Sequence, residues 1–186
     1  LNVFLPMKKI KSRTVFTDIN KEEFKGNNYM REQSFFNESG DLREKNSWFE
    51  NGLVDGKVLY RFDENDELAE ETHFFEENEM SERWLYFRNE NGIEKVEIHF
   101  LDGSVSYRNY TNETTEAGTT ETINIVDDEG DFEGEEIRRY DKEGSLVEEV
   151  VYDENREIKS RNVYEYNEKG RIKTSTSYAE GGDFGW

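Results

Sequence analysis

Side chains that commonly carry out chemistry are few in this sequence and are not grouped. It contains no cysteine and two histidines, His73 and His99, which take different positions relative to the aromatic residues that recur around them. A catalytic histidine needs a nucleophile to activate, and the sequence offers neither a cysteine nor a Gly-x-Ser-x-Gly serine. We therefore interpret both histidines as surface or sheet-pairing residues and predict no catalytic residue, no cofactor site and no metal site.

The densest group of carboxylates, DDEGDFEGEE at residues 127–136, invites a calcium-binding interpretation. An EF-hand loop needs flanking helices and a glycine at its sixth position, where this segment has Phe132. We therefore predict a solvated acidic hairpin. No P-loop, dinucleotide fingerprint or His-Glu-x-x-His motif occurs, and among 44 Asp and Glu residues no single pair points to glycosidase chemistry. The sequence predicts a protein that is not an enzyme, with an uncharacterised hydrolase as the less favoured alternative.

The composition is strongly acidic and rich in aromatic residues. The 186 residues carry a formal net charge of −20 at pH 7; 37% are charged and 14% are aromatic. Such a charge repels phosphate backbones, so we expect no nucleic-acid binding and favour a basic protein as the partner. The charge could instead serve only solubility, by keeping sheet edges apart. No apolar run is long enough to span a bilayer.

The ends of the chain differ from the rest of the sequence. We interpret residues 1–11 as an N-terminal tail in which Met7 is a candidate natural start, and residues 180–186 as a C-terminal tail. The first apolar run precedes Lys8 and Lys9, which is the reverse of a secretory signal. We therefore expect a cytoplasmic protein, whereas a signal removed upstream of Leu1 would make it periplasmic or surface-exposed.

Large apolar residues recur about every thirteen residues along most of the chain. The series comprises Phe36, Phe49, Phe62, Phe75, Phe87, Phe100, Val126, Tyr140, Tyr152, Tyr166 and Tyr178. Gly or Asn follows most of these residues, namely Gly40, Gly52, Asn65, Asn78, Gly92, Gly103, Gly130, Gly144, Asn155 and Gly170. These residue types enter the positive φ values that tight turns require. Each period thus predicts one strand and one short turn, so that successive strands are antiparallel neighbours.

The alternation within the strands predicts the kind of sheet. In LREKNSWF (42–49) and LAEETHFF (68–75), each face would carry both charged and apolar residues, whereas a sheet with one buried face separates them. We predict an all-β fold, an antiparallel meander of about a dozen strands in an elongated single-layer sheet. It would form one domain over residues 12–179. A closed meander barrel is the alternative.

Residues 107–125, YRNYTNETTEAGTTETINI, interrupt the period because no aromatic residue occurs near Asn112. We interpret this segment as a degenerate hairpin with a longer Thr-rich turn at Gly118. A mobile loop with a role in recognition is the alternative, since long loops in compact domains are often functional.

Two segments carry a more specific motif. WFENGLVDGKVLYRF (48–62) and DDEGDFEGEEIRRY (127–140) both place a glycine, three residues, a second glycine and then a strand that ends in an aromatic residue. The motif resembles the MORN-type repeats of bacterial antitoxin-like proteins. The matching residues are Asn51, Gly52, Gly56 and Phe62 in one copy and Gly130, Gly134 and Tyr140 in the other. YEYNEKGRI and RRYDKEGSL are similar to the tyrosine-aspartate (YD) repeats of bacterial RHS proteins.

This resemblance implies stacked hairpins in a single-layer sheet and a recognition scaffold, often an antitoxin or immunity protein. We accordingly predict a non-catalytic protein that binds and neutralises a basic bacterial toxin. A cell-surface or envelope recognition protein is the alternative.

The predicted partner-binding surface combines aromatic residues on neighbouring strands with acidic residues around them. A thin sheet cannot bury all of its aromatic side chains, and exposed aromatics are enriched at protein interfaces. The aromatic members are Trp48, Phe49, Phe74, Phe75, Trp84, Tyr86 and Phe87, and the acidic members are Glu70, Glu71, Glu76, Glu77 and Glu82.

Overall fold

The computed structural model describes residues 11–18, 28–75, 79–168, 170–179 and 182–184, which form fourteen β-strands and no helix. The strands are β1 (Ser12–Asp18), β2 (Asn28–Phe36), β3 (Leu42–Trp48), β4 (Val54–Phe62), β5 (Leu68–Phe74), β6 (Met80–Asn89), β7 (Gly92–Phe100), β8 (Val105–Thr115), β9 (Gly118–Val126), β10 (Phe132–Asp141), β11 (Leu146–Tyr152), β12 (Ile158–Tyr166), β13 (Ile172–Ala179) and β14 (Gly182–Phe184). No described segment forms a helix long and apolar enough to cross a membrane.

The strands follow one another through one sheet in chain order, from β1 to β14. Neighbouring strands are antiparallel, as between β4 and β5 and between β8 and β9. The first and last strands in this order are not paired with each other, so the described strands form an open sheet and not a closed barrel. The predicted all-β meander is confirmed, whereas its elongated shape stays a prediction.

The Thr-rich segment that interrupts the sequence period is a regular hairpin. Strands β8 and β9 pair from Tyr107–Val126 to Thr115–Gly118, and the hydroxyl oxygens of Thr114 and Thr119 lie 3.1 Å apart. The hairpin prediction is therefore confirmed for this segment. Its turn is shorter than predicted, because Gly118 already pairs in β9.

Most turns share one hydrogen-bonding plan. The backbone N–H of the first residue after a strand donates to the carbonyl of the fifth, as from Asp63 to Glu67 at 2.8 Å. Where the first residue is Asp or Asn, its side chain also accepts bonds from backbone N–H groups; Asp63 accepts from Asn65 at 2.8 Å and from Glu67 at 2.9 Å. The fourth residue takes positive φ, and it is usually Gly.

Two of the predicted turn residues are displaced by one position. Asn65 and Asn155 are not the residues with positive φ; the following residues are, with φ of 61° at Asp66 and 64° at Arg156. The backbone hydrogen bonds of the turn require positive φ at its fourth residue. Asn65 and Asn155 are the third residues of their turns and therefore do not take positive φ.

The second glycine of the MORN-like motif lies at a bulge where the next strand approaches closely. Gly56 pairs with Ser47 while Val54 pairs with Trp48, which leaves one extra residue in β4. Gly134 occupies the same place in β10, after a shift between Phe132 and Gly134. A Cβ atom added to Gly134 would lie 2.9 Å from the carbonyl oxygen of Tyr152, and one added to Gly56 would lie 3.4 Å from that of Phe74. Close approach of the neighbouring backbone therefore explains why glycine stands there.

The contacts of the chain group into two compact units. The first comprises Leu1–Leu85 and His99–Asp102, and the second comprises Tyr86–Ile98 and Gly103–Trp186. The division falls within β6 and β7. The prediction of one domain over residues 12–179 stays a prediction.

Few apolar side chains are buried. Among the described residues, the large apolar side chains that are buried are Val96, Ile98, Ile123 and Val150, and all four belong to the second unit. In the first unit the described apolar side chains are half-buried or exposed. Contacts between described strands join neighbours in the chain, so no second layer covers either face of the strands within each unit.

Charged clusters that span three strands hold neighbouring strands together where an apolar core is lacking among the described residues. In the first unit, Glu70 on β5 accepts bonds from Arg61 on β4 at 2.6 Å and from Arg83 on β6 at 2.7 Å. In the second unit, Glu148 on β11 accepts bonds from Arg139 on β10 and from Arg161 on β12, the latter at 2.7 Å. Both Arg–Glu–Arg clusters have the same spacing in sequence. The glutamate lies nine residues after the first arginine, and the second arginine lies thirteen residues after the glutamate. Each cluster joins a central strand to both of its neighbours.

The arginines shift the acidity of both glutamates. Hydrogen bonds from Arg83 and Arg61 outweigh the opposing effect of burial and lower the pKa of Glu70 from 4.5 to about 2. Burial alone would raise the pKa of Glu148, but hydrogen bonds from Arg161 and Arg139 lower it. Both carboxylates therefore stay charged, and the clusters intact, at pH values well below neutral.

We expect Glu70→Gln to lower the free energy of unfolding at pH 7 by about 1–3 kcal/mol, because charge-assisted hydrogen bonds on two strands are lost. The pKa of Glu70 is lower in the folded state, so its stabilising effect is present above pH 4.5 and is lost as pH falls towards about 2. Urea unfolding of wild type and variant should show a difference that shrinks over this interval. Glu143→Gln is the control, since that side chain is 63% exposed and should change little. A difference that does not vary with pH would contradict this assignment.

Gly118→Ala should destabilise the β8–β9 hairpin strongly. The added Cβ would clash with the carbonyl oxygen of Tyr140 and lie 2.8 Å from the carbonyl carbon of Asp141, at a φ of +142°. Gly92→Ala is a matched control, because its φ is +116° and nothing lies within 4 Å of the added atom. We expect Gly118→Ala to cost at least about 2 kcal/mol more than Gly92→Ala in thermal unfolding. Equal losses would show that positive φ alone, and not the clash, sets the cost.

Candidate functional site

The first unit carries a groove of about 1090 Å³ on β2 to β6, which we call the first-unit groove. Its lining includes four of the predicted aromatic residues, Trp48, Phe49, Phe74 and Phe75, together with Glu82. A volume of this size is in the range of ligand pockets, but polar and charged side chains contribute much of the lining. The groove is therefore better suited to a protein surface than to a small apolar ligand.

The strand register explains which side chains form the floor of the groove. Directly paired residues share one face of a sheet, and Ser47 pairs with Glu32, Val58 with Lys45 and His73 with Val58. His73 in turn pairs with Glu82 on β6, which brings five strands, β2 to β6, into one surface. Through these pairs, Glu32 and Glu82 lie on the same face although they are far apart in sequence.

The polar side chains of this face hold one another in place. Lys45 Nζ lies 2.9 Å from a carboxylate oxygen of Glu32, and His73 Nε2 lies 3.0 Å from a carboxylate oxygen of Glu71. Trp84 Nε1 donates to Glu82 at 2.7 Å, and the ring of Trp84 lies 5.6 Å from that of His73. A surface whose side chains are already positioned loses less entropy when it binds a partner.

Tyr60 lines the groove and pairs with Glu71 on β5. Burial raises its pKa above the ordinary value of 10, and the nearby carboxylates of Glu71 and Glu32 raise it further. Its hydroxyl therefore stays neutral near pH 7 and can both donate and accept hydrogen bonds. A neutral phenol among carboxylates favours hydrogen bonding with a partner over nucleophilic attack.

Apolar side chains form the rim of the groove at the turns that follow β3 and β5. Phe49 is 53% exposed and Phe75 is 44% exposed. Both are the first residues after their strands, with backbone N–H groups bonded to Leu53 at 2.9 Å and to Glu79 at 3.2 Å. Large exposed aromatic side chains beside a concave surface are typical of protein-binding sites.

The structure brings part of the predicted surface together and separates the rest. Trp84 and Glu71 belong to the face of the groove, since they pair with each other and contact Glu82 and His73. Glu70 lies on the opposite face, within the Arg–Glu–Arg cluster, because successive residues of a strand point to opposite faces. The other members are elsewhere: Tyr86 and Phe87 in the second unit, and Glu76 and Glu77 outside the described residues.

Sequence reasoning missed the basic and hydroxyl residues of the groove, among them Arg31, Lys45, Lys57 and Tyr60. The charges of the lining are nearly balanced, with three Lys or Arg residues against four carboxylates, and the ring of acids predicted around the aromatics is not the dominant feature. The signal that could have found them is cross-strand register, which requires the position of the bulge at Gly56.

A second, smaller groove of about 700 Å³ belongs to the second unit. Its lining is amide, hydroxyl and apolar, without a formally charged side chain: Asn89, Asn91, Ile93, Tyr110, Thr111, Asn112, Thr114 and Thr119. Such a lining offers hydrogen bonds but no acid–base pair.

Known proteins give no further guidance on these grooves. No protein-family model and no curated protein matches the sequence. In the described part of the chain, no three His, Asp or Glu side chains are arranged to hold a metal ion. The MORN-type and RHS-type resemblances therefore stay predictions, and the geometry of the first-unit groove is what a functional proposal must rest on.

Proposed function

We propose that the protein is a non-catalytic recognition scaffold that binds a basic protein, of the antitoxin or immunity type, through the first-unit groove. The observation that carries this proposal is the coincidence of exposed Phe49 and Phe75 with a groove whose polar side chains are already fixed. Hydrophobic anchors surrounded by positioned polar groups are the usual composition of a protein interface.

The exposed area of these aromatics does not contribute to an apolar core. The first unit has no buried large apolar side chain among its described residues, so Phe49 and Phe75 are not parts of a core. Apolar area that stays in water costs free energy unless a partner covers it. A partner that covers the rim of the groove would recover this free energy on binding.

The net charge would act mainly on the rate of association. A chain with a charge of −20 attracts a cationic protein over a distance set by the ionic strength, and it does so without specific pairs. The nearly balanced lining of the groove favours local pairing with both signs of charge. We therefore assign steering to the whole acidic chain and affinity to the groove. A cytoplasmic location remains part of this proposal.

A capture experiment followed by binding kinetics tests the proposal. The protein is used as bait in a lysate of the source organism, beside a Trp48→Ala/Phe75→Ala double variant. The matched control is Ile158→Ala/Ile172→Ala, which removes side chains that are 49% and 57% exposed in the second unit. Far-UV circular dichroism confirms that each variant is folded.

We expect a basic protein that binds the wild type and the control equally well. The groove variant should raise the dissociation constant at least about 30-fold, which corresponds to about 2 kcal/mol. Association with the wild type should slow between about 50 mM and about 500 mM salt, because steering is screened. An acidic partner, a rate that does not respond to salt, or equal losses in the two double variants would contradict the proposal.

A further inference from the structure

An apolar row runs along one edge of the first unit. Antiparallel strands reverse direction at each turn, so the turns after β3, β5 and β7 lie on the same side, at the ends of the strands. By edge we mean this row of turns and not an outer strand. The first residues after these strands are Phe49, Phe75 and Leu101, which are 53%, 44% and 65% exposed. They are separated by 26 residues each, which is two strand-and-turn periods. We call these three residues the apolar row.

A second exposed apolar side chain accompanies each member of the row. Leu53 is 65% exposed in the turn of Phe49, Met80 is 36% exposed after the turn of Phe75, and Phe100 is 37% exposed beside Leu101. The backbone N–H of Leu101 donates to Ser81 at 3.1 Å, which ties the third turn to the start of β6. Each member of the row thus has a second exposed apolar side chain close to it in sequence.

The fold does not require apolar residues at the positions of Phe49 and Phe75. Two periods later in the second unit, the first residues after β9 and β11 are Asp127 and Asp153. Asp127 accepts bonds from Glu129 at 3.0 Å and Asp131 at 2.8 Å, and so closes its turn with its own side chain. Phenylalanine cannot do this, so Phe49 and Phe75 occupy turn positions where Asp would stabilise the turn.

A partner segment on this edge must satisfy its own backbone hydrogen bonds. In its described residues the edge consists of turns and offers no row of free strand N–H and C=O groups, which an added β-strand would need for pairing. An α-helix bonds its backbone internally and can present one apolar face. The geometry of a turn edge therefore favours a helix over a strand.

The spacing of the row agrees with helical periodicity. Two strand separations amount to about 10 Å along the ladder, and to somewhat more at the ends of twisted strands. Helix positions i and i+7 or i+8 share one side and are about 10.5 and 12 Å apart. Three anchors would need about fifteen residues of helix.

Carboxylates stand next to exposed apolar residues at each of the three turns. Glu50 follows Phe49, Glu79 precedes Met80 and Asp102 follows Leu101, and all three are exposed. Basic residues on the flanks of a bound helix would lie close to these carboxylates. The complementary segment is thus apolar along one side and basic on both flanks.

We propose that the apolar row binds an amphipathic, basic α-helix of the partner, with apolar residues at i, i+7 and i+14. This inference rests on the proposed function, because it names the part of the basic partner that is recognised.

The test uses a synthetic helical peptide of about eighteen residues with Leu at i, i+7 and i+14 and Lys on both flanks. Its control has the same composition with the Leu residues placed on different sides of the helix. The protein variant is Phe49→Asp/Phe75→Asp, which installs the residue found in the equivalent turns of the second unit. Ile158→Asp/Ile172→Asp is the matched control for the added charge.

We expect the heptad peptide to bind the wild type at least tenfold more tightly than its control and to gain helical circular dichroism on binding. The Phe49→Asp/Phe75→Asp variant should lose this preference while its thermal stability is unchanged or higher, because Asp closes the turns. The added negative charge would by itself strengthen binding of a basic peptide, so a loss reports the apolar contact.

Equal binding of the two peptides, or wild-type affinity in the Phe49→Asp/Phe75→Asp variant, would overturn the helix assignment. The capture experiment decides the proposed function separately. If the capture experiment yields a basic partner that depends on the groove, but the protein binds the heptad peptide and its control equally well, the helix assignment is overturned and the recognition function still stands.

Discussion

The lack of a second layer over the described strands is the constraint on which the rest of this structure depends. Strands that contact only their neighbours bury four large apolar side chains in the described chain, all in the second unit. Cohesion must then come from backbone ladders and from cross-strand pairs. The two Arg–Glu–Arg clusters meet this need, because Glu70 and Glu148 each bind arginines from both adjacent strands.

The same constraint leaves aromatic side chains available for binding. Because the turns are closed by backbone hydrogen bonds, the first residue of a turn can vary without loss of the fold. At this position, the side chain of Asp127 accepts hydrogen bonds that stabilise its turn, whereas the ring of Phe49 is exposed beside the groove. The same kind of hairpin turn thus begins with Asp127 in the second unit, where the side chain stabilises the turn, and with exposed Phe49 or Phe75 in the first unit.

Sequence periodicity was sufficient to predict the strands but not the surface that they form. The thirteen-residue spacing places strands and turns correctly, because each period closes one hairpin. The groove depends on register, which the bulge at Gly56 shifts by one residue. Glu70 and Glu71 illustrate the limit: alternation alone places these neighbours on opposite faces, yet only the pairing with Arg83 and Trp84 shows which face belongs to the groove.

Native-state hydrogen exchange in the isolated protein, followed by mass spectrometry, tests most directly whether a sheet without an apolar core forms in the first unit. We predict that amides in the paired segments of β3 to β6, around Val58 and His73, exchange orders of magnitude more slowly than an unstructured chain. Exchange in β3 to β6 at the rate of an unstructured chain, with protection confined to the second unit, would contradict this account.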